Sequence, residues 1–564
     1  MERDGSSLHD AAHADALHTA GAAALLGTLF HLSVAIRDEE FERIMLPFIG
    51  LACAVFSGTV CAFAAFGQLG IVQALLKTVL VATGFNTGLF LSIGAYRLFF
   101  HRLRKFPGPF AAKLTKFHAV YRAAKTLQLH REREALHEQY GDVVRVGPRE
   151  VSILRKSALP LIYGPMTDCR KSSWYGQAGH DTSRASLHME RDRKSHRMRR
   201  RAWDRAFSTK ALLSYEARIA TLADTLVKQI QKTNGQPVNS TEWAMFYSFD
   251  VMGALAFQDD FGQMKSGVEN SSIKGIHDTM SLIGVLGNAP WSLVLAGCLP
   301  ESTSGFANFF KVCAAQLKEK EKTFKPDEMP QDILSWLLKA TNERDATAPP
   351  TRKALEDDVR FMIVAGSETS ATSVAYELYF LAKHPEIQEK LRAELLKAVP
   401  GGVSNWTYDK VKEISYLDDF INETLRLKPP VPLGIQRETS EKGLRIDDDI
   451  YIPPRTTVMI PLQAIQKDPR YWPQAEEFIP ERWGERKAEM GTDGAPFFAF
   501  GLGPHLCAGK HMAYMSMRIA LSKLVMEFDV KFAPGEDGIA FYTQESETFS
   551  TLVPPLQLKF TPLK

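Results

Sequence analysis

The chain has 564 residues, 24 % of them charged, with a formal net charge of +3 at pH 7. Near-neutrality at this length points neither towards nor away from nucleic acid, and one large unit is a simpler reading than several small domains because no long linker interrupts the C-terminal four-fifths. The six cysteines (Cys53, Cys61, Cys169, Cys298, Cys313 and Cys507) form no CxxC pair and no Cys/His zinc spacing, which excludes a zinc module or dithiol redox motif and suits a reducing compartment.

The first hundred residues are largely apolar. Residues 44–66 carry no charge and are long enough to span a bilayer. Residues 79–100 are interrupted only by Arg97, close enough to the end for its side chain to snorkel. A weaker run, 17–36, contains His18 and His31 and reads either as a further span or as a helix lying on the membrane surface. A cleavable signal peptide fits poorly, because the first apolar run starts late and lacks a basic leader. The basic cluster at 101–105 follows directly and places that end in the cytosol. With three spans the N-terminus is lumenal; with two it is cytosolic. Residues 1–104 are thus expected to form a membrane anchor of two or three helices, and residues 105–564 a globular catalytic domain.

A proline-rich tetrapeptide, FPGP at 106–109, makes a stiff exit from the anchor, because proline fixes φ and cannot continue a helix. Residues 142–148 and 151–154 alternate around a Gly-Pro turn and predict a β-hairpin; 444–446 and 450–452, on either side of three aspartates, predict a second strand patch. The rest is mainly helical. Arg191, Arg193, Lys194, Arg197, Arg199, Arg200 and Arg201 crowd one short stretch, either as a solvated face or as a docking surface for an acidic partner. A long helix is predicted over 354–383, with Glu356, Asp357 and Asp358 near its start and Pro385 beyond its end. Gly366 lies in its middle, where glycine costs about 1 kcal/mol relative to alanine. It therefore needs a reason, such as close approach of a ligand or a local opening of the helix. Just beyond it, Glu368 and Thr369 set a carboxylate beside a hydroxyl.

Glu423 and Arg426 share a helix face in ETLRLKPP (423–430), just before a proline turn. FIPERW (478–483) brings Arg482. FGLGPHLCAG (500–509) then places Cys507 in a glycine-rich loop directly before a largely apolar helical run, 512–528. Gly503 and Gly509 remove side chains where a flat macrocycle needs room, and the positive end of the following helix favours a thiolate at Cys507. Such a thiolate can ligate haem iron and push electron density towards oxygen, promoting O–O cleavage.

These segments, in this order, resemble the cytochrome P450 monooxygenases of membrane-bound, microsomal or fungal type. The resemblance covers residues 106–564 and leaves the anchor outside it. The 500–509 segment is similar to the family's haem-ligand loop, with Phe500, Gly503, Cys507 and Gly509 in place; the departure is His505, where arginine is usual. Histidine keeps a donor for a haem propionate, with a charge that depends on pH. The resemblance implies haem b with Cys507 as axial ligand, and propionate partners at Arg437, His196 and Arg200 as well as His505. His196 stands where the family's Trp-x-x-x-Arg pair has tryptophan. The 365–370 segment resembles the oxygen-activation segment of the central helix. O–O cleavage consumes two protons, so the resemblance makes Thr369 the hydroxyl and Glu368 the acid that deliver them. Glu423, Arg426 and Arg482 correspond to a buried network that braces the haem loop. Phe361, Ala365, Val431, Leu433 and Phe549 fall on segments that line the substrate pocket.

The implied fold is mainly α with a small β region, preceded by transmembrane helices. The implied activity is insertion of one oxygen atom from O2 into a small lipophilic substrate, in the style of fungal secondary-metabolite biosynthesis. Electrons would come from NADPH through an NADPH–cytochrome P450 reductase, on the cytosolic face of the endoplasmic reticulum membrane, with the basic stretch 191–201 facing the reductase and no nucleic acid as partner. Two rivals stay open: a haem-thiolate isomerase or dehydratase, and a non-catalytic membrane haem protein. No residue identifies the substrate.

Overall fold

The computed structural model describes residues 10, 12–35, 41–178, 182–296 and 304–563. Cys298 and the charged residues 37–40 lie outside them. The N-terminal region forms α1 (Ala16–Phe30), α2 (Phe41–Ala65) and α3 (Ile71–Ala95). Three segments, Ala16–Val34, Met45–Ala65 and Ile71–Phe100, are long and apolar enough to cross a membrane, so the weaker first run joins the other two. The last begins ahead of residue 79. Lys77 interrupts the apolar pattern, but its Nζ is satisfied by the carbonyl of Ala14. α1 and α3 pack backbone to backbone: a Cβ on Gly88 would fall 1.9 Å from the carbonyl oxygen of Ala24, and one on Gly27 2.0 Å from that of Phe85. Small residues serve this purpose between membrane helices. Leu17, Leu25, Leu51, Phe90 and Leu91 stay exposed, as a lipid-facing surface requires. Arg97 does not snorkel outwards. Its Nη1 donates to the carbonyl of Leu114 at 2.5 Å, and its own carbonyl accepts from Arg145 Nη1 at 3.0 Å.

Beyond the proline exit, β1 (Val143–Gly147) and β2 (Glu150–Ile153) form the expected antiparallel hairpin. They continue into a five-stranded sheet in the order β1-β2-β8-β5-β3. Its other members are β3 (Arg170–Lys171), β5 (Arg437–Glu438) and β8 (Thr457–Met459), with β8 parallel to β2. β4 (Val238–Asn239) belongs to a second sheet. The remaining helices that position the site are α4 (Arg193–Ala206), α5 (Thr209–Lys232), α6 (Ser240–Phe257), α7 (Ser271–Leu286), α8 (Arg352–Lys383), α9 (Ser415–Leu427) and α10 (Lys510–Glu527). β6 (Leu444–Ile446) and β7 (Ile450–Ile452), the second predicted strand patch, pair as an antiparallel hairpin. β9 (Phe528–Phe532) and β12 (Gln557–Pro562) complete the sheet β4-β12-β9, and β10 (Ser546–Glu547) pairs with β11 (Thr551–Leu552).

The main core lies where α6, α8 and α10 meet, with Phe249, Tyr376 and Val525 among its fully buried side chains. α8 starts two residues ahead of the predicted start. Thr351 caps it, its Oγ1 accepting from the amide of Ala354 at 3.1 Å. The acids assigned to that start do other work. Asp358 is fully buried and accepts from Arg199 Nη2 at 2.9 Å and from the Leu187 amide at 2.6 Å. Gly366 packs against a neighbouring helix and also lines the cavity between α8 and the 500–509 loop. A Cβ there would fall 2.4 Å from Met252 Sδ of α6, and α8 runs through the position unopened.

Candidate active site

A cavity of about 300 Å³ lies between α8 and the 500–509 loop. Cys507 lines it from the loop side. Ala365, Gly366 and Thr369 line it from α8, and Val431, Phe361 and Phe549 close it with apolar surface. The loop is held by its own backbone: the Cys507 amide donates to the carbonyl of Phe500 at 2.9 Å, and Arg200 Nη1 to the carbonyl of Leu506 at 2.5 Å. Burial pushes the Cys507 thiol up. Backbone N–H groups of Gly509 and Lys510, at the start of α10, and the Arg200 charge act in the opposite direction. The helix end alone therefore does not make the thiolate; a bound cation would have to complete the shift.

The two loop glycines have different reasons. Gly509 lines the cavity, and a Cβ on it would meet no protein atom closer than 3.8 Å, at Phe207, so it leaves room for a cofactor. Gly503 does not line the cavity. It sits at φ +61°, and a Cβ would fall 2.4 Å from the carbonyl oxygen of Tyr163. Its task is backbone packing in a left-handed turn, which corrects the macrocycle assignment made for it above.

The cationic rim contains the expected groups and one more. Arg437 is buried and lines the cavity. Its Nη1 donates to the carbonyl of Gln436 at 2.9 Å, while its Nε has no partner. Lys171, not foreseen from the sequence, is equally buried and lines the same cavity, with Nζ donating only to the carbonyls of Leu187 and His188. Buried cations are normally paired, and among the described residues neither of these meets a carboxylate. Burial, with the Arg437 charge beside it, pulls the Lys171 ammonium well below its ordinary range, so a flat group that carries two carboxylates, as haem does, would supply the charge partner that both basic side chains lack here. His505 Nδ1 and His196 Nε2 lie 3.3 Å apart. Burial, reinforced by the charges of Lys171 and Arg200, pulls His196 down to about 3. Burial and the Arg437 charge hold His505 far below its ordinary range too. For both rings burial and the neighbouring cations disfavour the charged form.

Thr369 Oγ1 donates to the carbonyl of Ala365 at 2.7 Å. Glu368 does not line the cavity. It is 1 % exposed and its Oε2 accepts from Ser550 Oγ at 2.7 Å. Burial raises its pKa against the opposing charge of His277 and the Ser550 hydrogen bond. Leu433 also departs from expectation. It borders a neighbouring cavity of about 70 Å³, which Phe549 shares. Phe549 itself has a φ of +114° and stacks on Trp174 with ring centroids 5.2 Å apart. Non-glycine residues rarely adopt that conformation, and tertiary packing must hold it.

Glu423, Arg426 and Arg482 come together fully buried. The Glu423 carboxylate accepts from Arg426 Nε at 2.8 Å and Nη2 at 2.9 Å, Arg482 Nε at 2.9 Å, the Ile479 amide at 2.9 Å and Trp483 Nε1 at 3.0 Å. Arg426 Nη1 also donates to the carbonyl of Gln466, whose Oε1 accepts from the amide of Phe498 at 3.1 Å. The network thereby reaches the base of the cysteine loop. The basic stretch 191–201 is not one face. Arg199 turns inwards to Asp358 and Arg200 to the loop, while Lys194, Arg197 and Arg201 remain exposed.

A mainly helical fold with a cysteine loop facing a central helix defines a haem-thiolate protein. The family model for cytochrome P450 matches residues 107–560, and the chain belongs to that family. It is 37 % identical over 474 residues to cytochrome P450 monooxygenase orf5 of Eupenicillium brefeldianum, covering 84 % of this chain and 94 % of that one. It is 35 % identical over 487 residues to tryprostatin B 6-hydroxylase of Aspergillus fumigatus, covering 85 % and 83 %. The crystal structure of a cytochrome P450, CYP102L1, superposes with a TM-score of 0.64 at 21 % identity, over 78 % of this chain and 94 % of that one. The chain is a cytochrome P450 monooxygenase, a reading these relatives favour over an isomerase, a dehydratase or a non-catalytic haem protein.

Proposed function

We propose that the protein is a membrane-anchored monooxygenase of secondary metabolism that binds haem b through Cys507 and places one atom of O2 in a small lipophilic substrate. The observation that carries this is the cavity itself, with Cys507 on one wall, Thr369 on the facing helix, and Arg437 and Lys171 buried on its rim without carboxylate partners among the described residues. Cys507 would ligate the haem iron, and Arg437 and Lys171, with the His196–His505 pair and Arg200 nearby, would hold the propionates. Bound there, haem supplies the oxygen-activating redox chemistry. The chain's own residues do the rest. Phe361, Val431 and Phe549 exclude water and receive apolar substrate; Thr369 holds a hydroxyl at the cavity wall, and Glu368, kept readily protonated by burial, supplies protons to it. Glu423, Arg426 and Arg482 brace the loop.

Three apolar helices support an anchor over residues 1–104 with the catalytic domain at 105–564. The basic cluster that follows them supports a cytosolic catalytic domain on the endoplasmic reticulum membrane. The exposed Lys194, Arg197 and Arg201, on the helix whose Arg200 contacts the cysteine loop, suit an acidic reductase carrying electrons from NADPH. Hydroxylation is the reaction in the name of the tryprostatin B relative, and aliphatic or aromatic hydroxylation is the corresponding reaction here. The test is the reduced, carbon monoxide-bound spectrum with and without Cys507→Ser, followed by incubation with NADPH, reductase and lipophilic substrates under ¹⁸O2. A thiolate-type band lost in the variant, and one labelled oxygen in product, are expected. Products formed without NADPH would refute the reading.

A further inference from the structure

Glu368 has one oxygen satisfied and one waiting. Oε2 accepts from Ser550, but Oε1 is buried without a partner and lies 3.9 Å from His277 Nε2, which is also buried without one. The other ring nitrogen, His277 Nδ1, is 2.5 Å from Glu269 Oε1. The side chains grow more accessible along this line: Glu368 is 1 % exposed, His277 18 % and Glu269 30 %. Phe249 of α6 stands edge-on to the imidazole at 5.8 Å and walls the line off on that side.

We propose that Glu269, His277 and Glu368 form the line by which protons enter from solvent to the cavity, with His277 as the relay. The inference rests on Glu368 serving Thr369 as the proton source. Two buried groups built only for stability would close to hydrogen-bond distance. Here a donor-capable nitrogen and a carboxylate oxygen face each other at 3.9 Å, and among the described residues neither atom has a hydrogen-bond partner. The electrostatics suit a relay. Burial works against a charged imidazole, but the Glu269 hydrogen bond and the charges of Glu368, Glu269 and Asp278 outweigh it, so its pKa is raised. The ring accepts a proton readily and is surrounded by acceptors to which it can pass one.

Each transfer balances. When Glu368 has given its proton towards Thr369, its carboxylate takes the proton on His277 Nε2. The Nε2–H bond breaks and the Oε1–H bond forms. That proton leaves an imidazolium that Glu269 had charged at Nδ1 with a proton taken from water, so the ring ends as the neutral Nδ1–H tautomer. Nothing is oxidised or reduced, and the partly exposed ring is reset when Nδ1–H is lost to water and Nε2 gains a proton from water, before the next transfer.

Three variants of the full-length holoenzyme test this: H277F, which keeps the packing against Phe249; E269Q, at the accessible end; and E368Q. The first readout needs no turnover. In the resting enzyme at mildly acidic pH, the infrared carboxylic-acid band abolished by E368Q is followed after transfer into D2O. Its hydrogen–deuterium exchange is expected to slow in H277F and in E269Q. The second readout is turnover. Product formation is expected to fall roughly tenfold in H277F, with a larger solvent isotope effect and with unchanged substrate-induced and carbon monoxide spectra. Wild-type exchange and rate in H277F and E269Q, with E368Q still slow, would overturn the relay and leave Glu368 in its role. Wild-type turnover in E368Q would overturn that role and the relay with it. Should H277F fail to fold, E269Q decides by the same two readouts.

Discussion

Replacing Glu423 by glutamine removes one charge and almost no volume, and its cost can be worked from the contacts. Five hydrogen bonds end on the carboxylate, three of them from two fully buried guanidinium groups. An amide keeps one acceptor oxygen, but its NH2 group must face donors already aimed at the other oxygen. Arg426 retains the carbonyls of Gln466 and Ala475, and Arg482 those of Pro473 and Gln474. The cations are therefore left uncompensated in charge but not wholly unsolvated. Breaking a buried pair in this way costs about 3–5 kcal/mol. Unfolding entropy of about 2.1 cal/mol/K per residue, over a domain of roughly 450 residues, is about 1 kcal/mol/K, so the expected fall in melting temperature is about 3–5 °C. Because the network reaches the amide of Phe498 through Gln466, the loop should loosen before the core does. The assay is paired: thermal unfolding followed by ellipticity, and the fraction of enzyme with the thiolate-type carbon monoxide spectrum on the same heating ramp. In E423Q the spectrum should fail at a lower temperature than the ellipticity, and the gap should exceed that of wild type. A variant that melts within about 1 °C of wild type, with its spectrum intact to the same temperature, would refute the bracing role.

Gly503→Ala should cost at least about 1–2 kcal/mol from its left-handed backbone alone, with a clash against the Tyr163 carbonyl added, and should lower the yield of folded enzyme. Gly509→Ala should fold normally yet carry less haem per polypeptide, since its new methyl enters the cavity; equal haem content in the two variants would show that the distinction drawn between them is wrong. Thr369→Ala should consume NADPH while product per NADPH falls about tenfold or more, a ratio read from product and peroxide assays together. The buried His130 sits between Glu545 and Glu547, whose hydrogen bonds raise its pKa above 6.5 in spite of burial. Its contribution is complete below pH 6.5 and is lost as pH rises through the folded value. His130→Gln should therefore flatten the decline of melting temperature on the alkaline side, and an unchanged slope would exclude this residue as its source.

What could be read in the sequence was what proximity along the chain encodes. Cys507 with its glycines, Glu368 beside Thr369, and Glu423 three residues before Arg426 are local patterns, and the structure places all of them at one cavity or next to it. The hairpins at β1–β2 and β6–β7 were legible for the same reason, since alternation and turn residues suffice. The span at Ile71 was misjudged at its start because one lysine breaks an apolar pattern in sequence, whereas its partner, the Ala14 carbonyl, belongs to the chain ahead of another helix.

The unread part consists of groups whose meaning depends on a distant neighbour. Lys171 looks like any basic residue until the strand pairing of β3 with β5 sets it opposite Arg437 and turns both towards a cavity without carboxylates. Gly503 invites a ligand explanation, yet its constraint is the Tyr163 carbonyl, remote in sequence, while Gly366 both lines the cavity and meets Met252 of a distant helix. Glu368 shows the same division within one residue. Its identity is local, but its usefulness as an acid depends on Ser550, which holds one oxygen, and on His277, which faces the other. Ser550 belongs to the turn that also carries Phe549 into the substrate cavity. Phe549 is thus one residue from the hydroxyl that holds Glu368, and the expected consequence is that substrate fit at Phe549 affects proton supply through Ser550. Ser550→Ala separates them: it should leave substrate affinity intact and raise the Glu368 pKa further, because the hydrogen bond it removes is one that favours the ionised form.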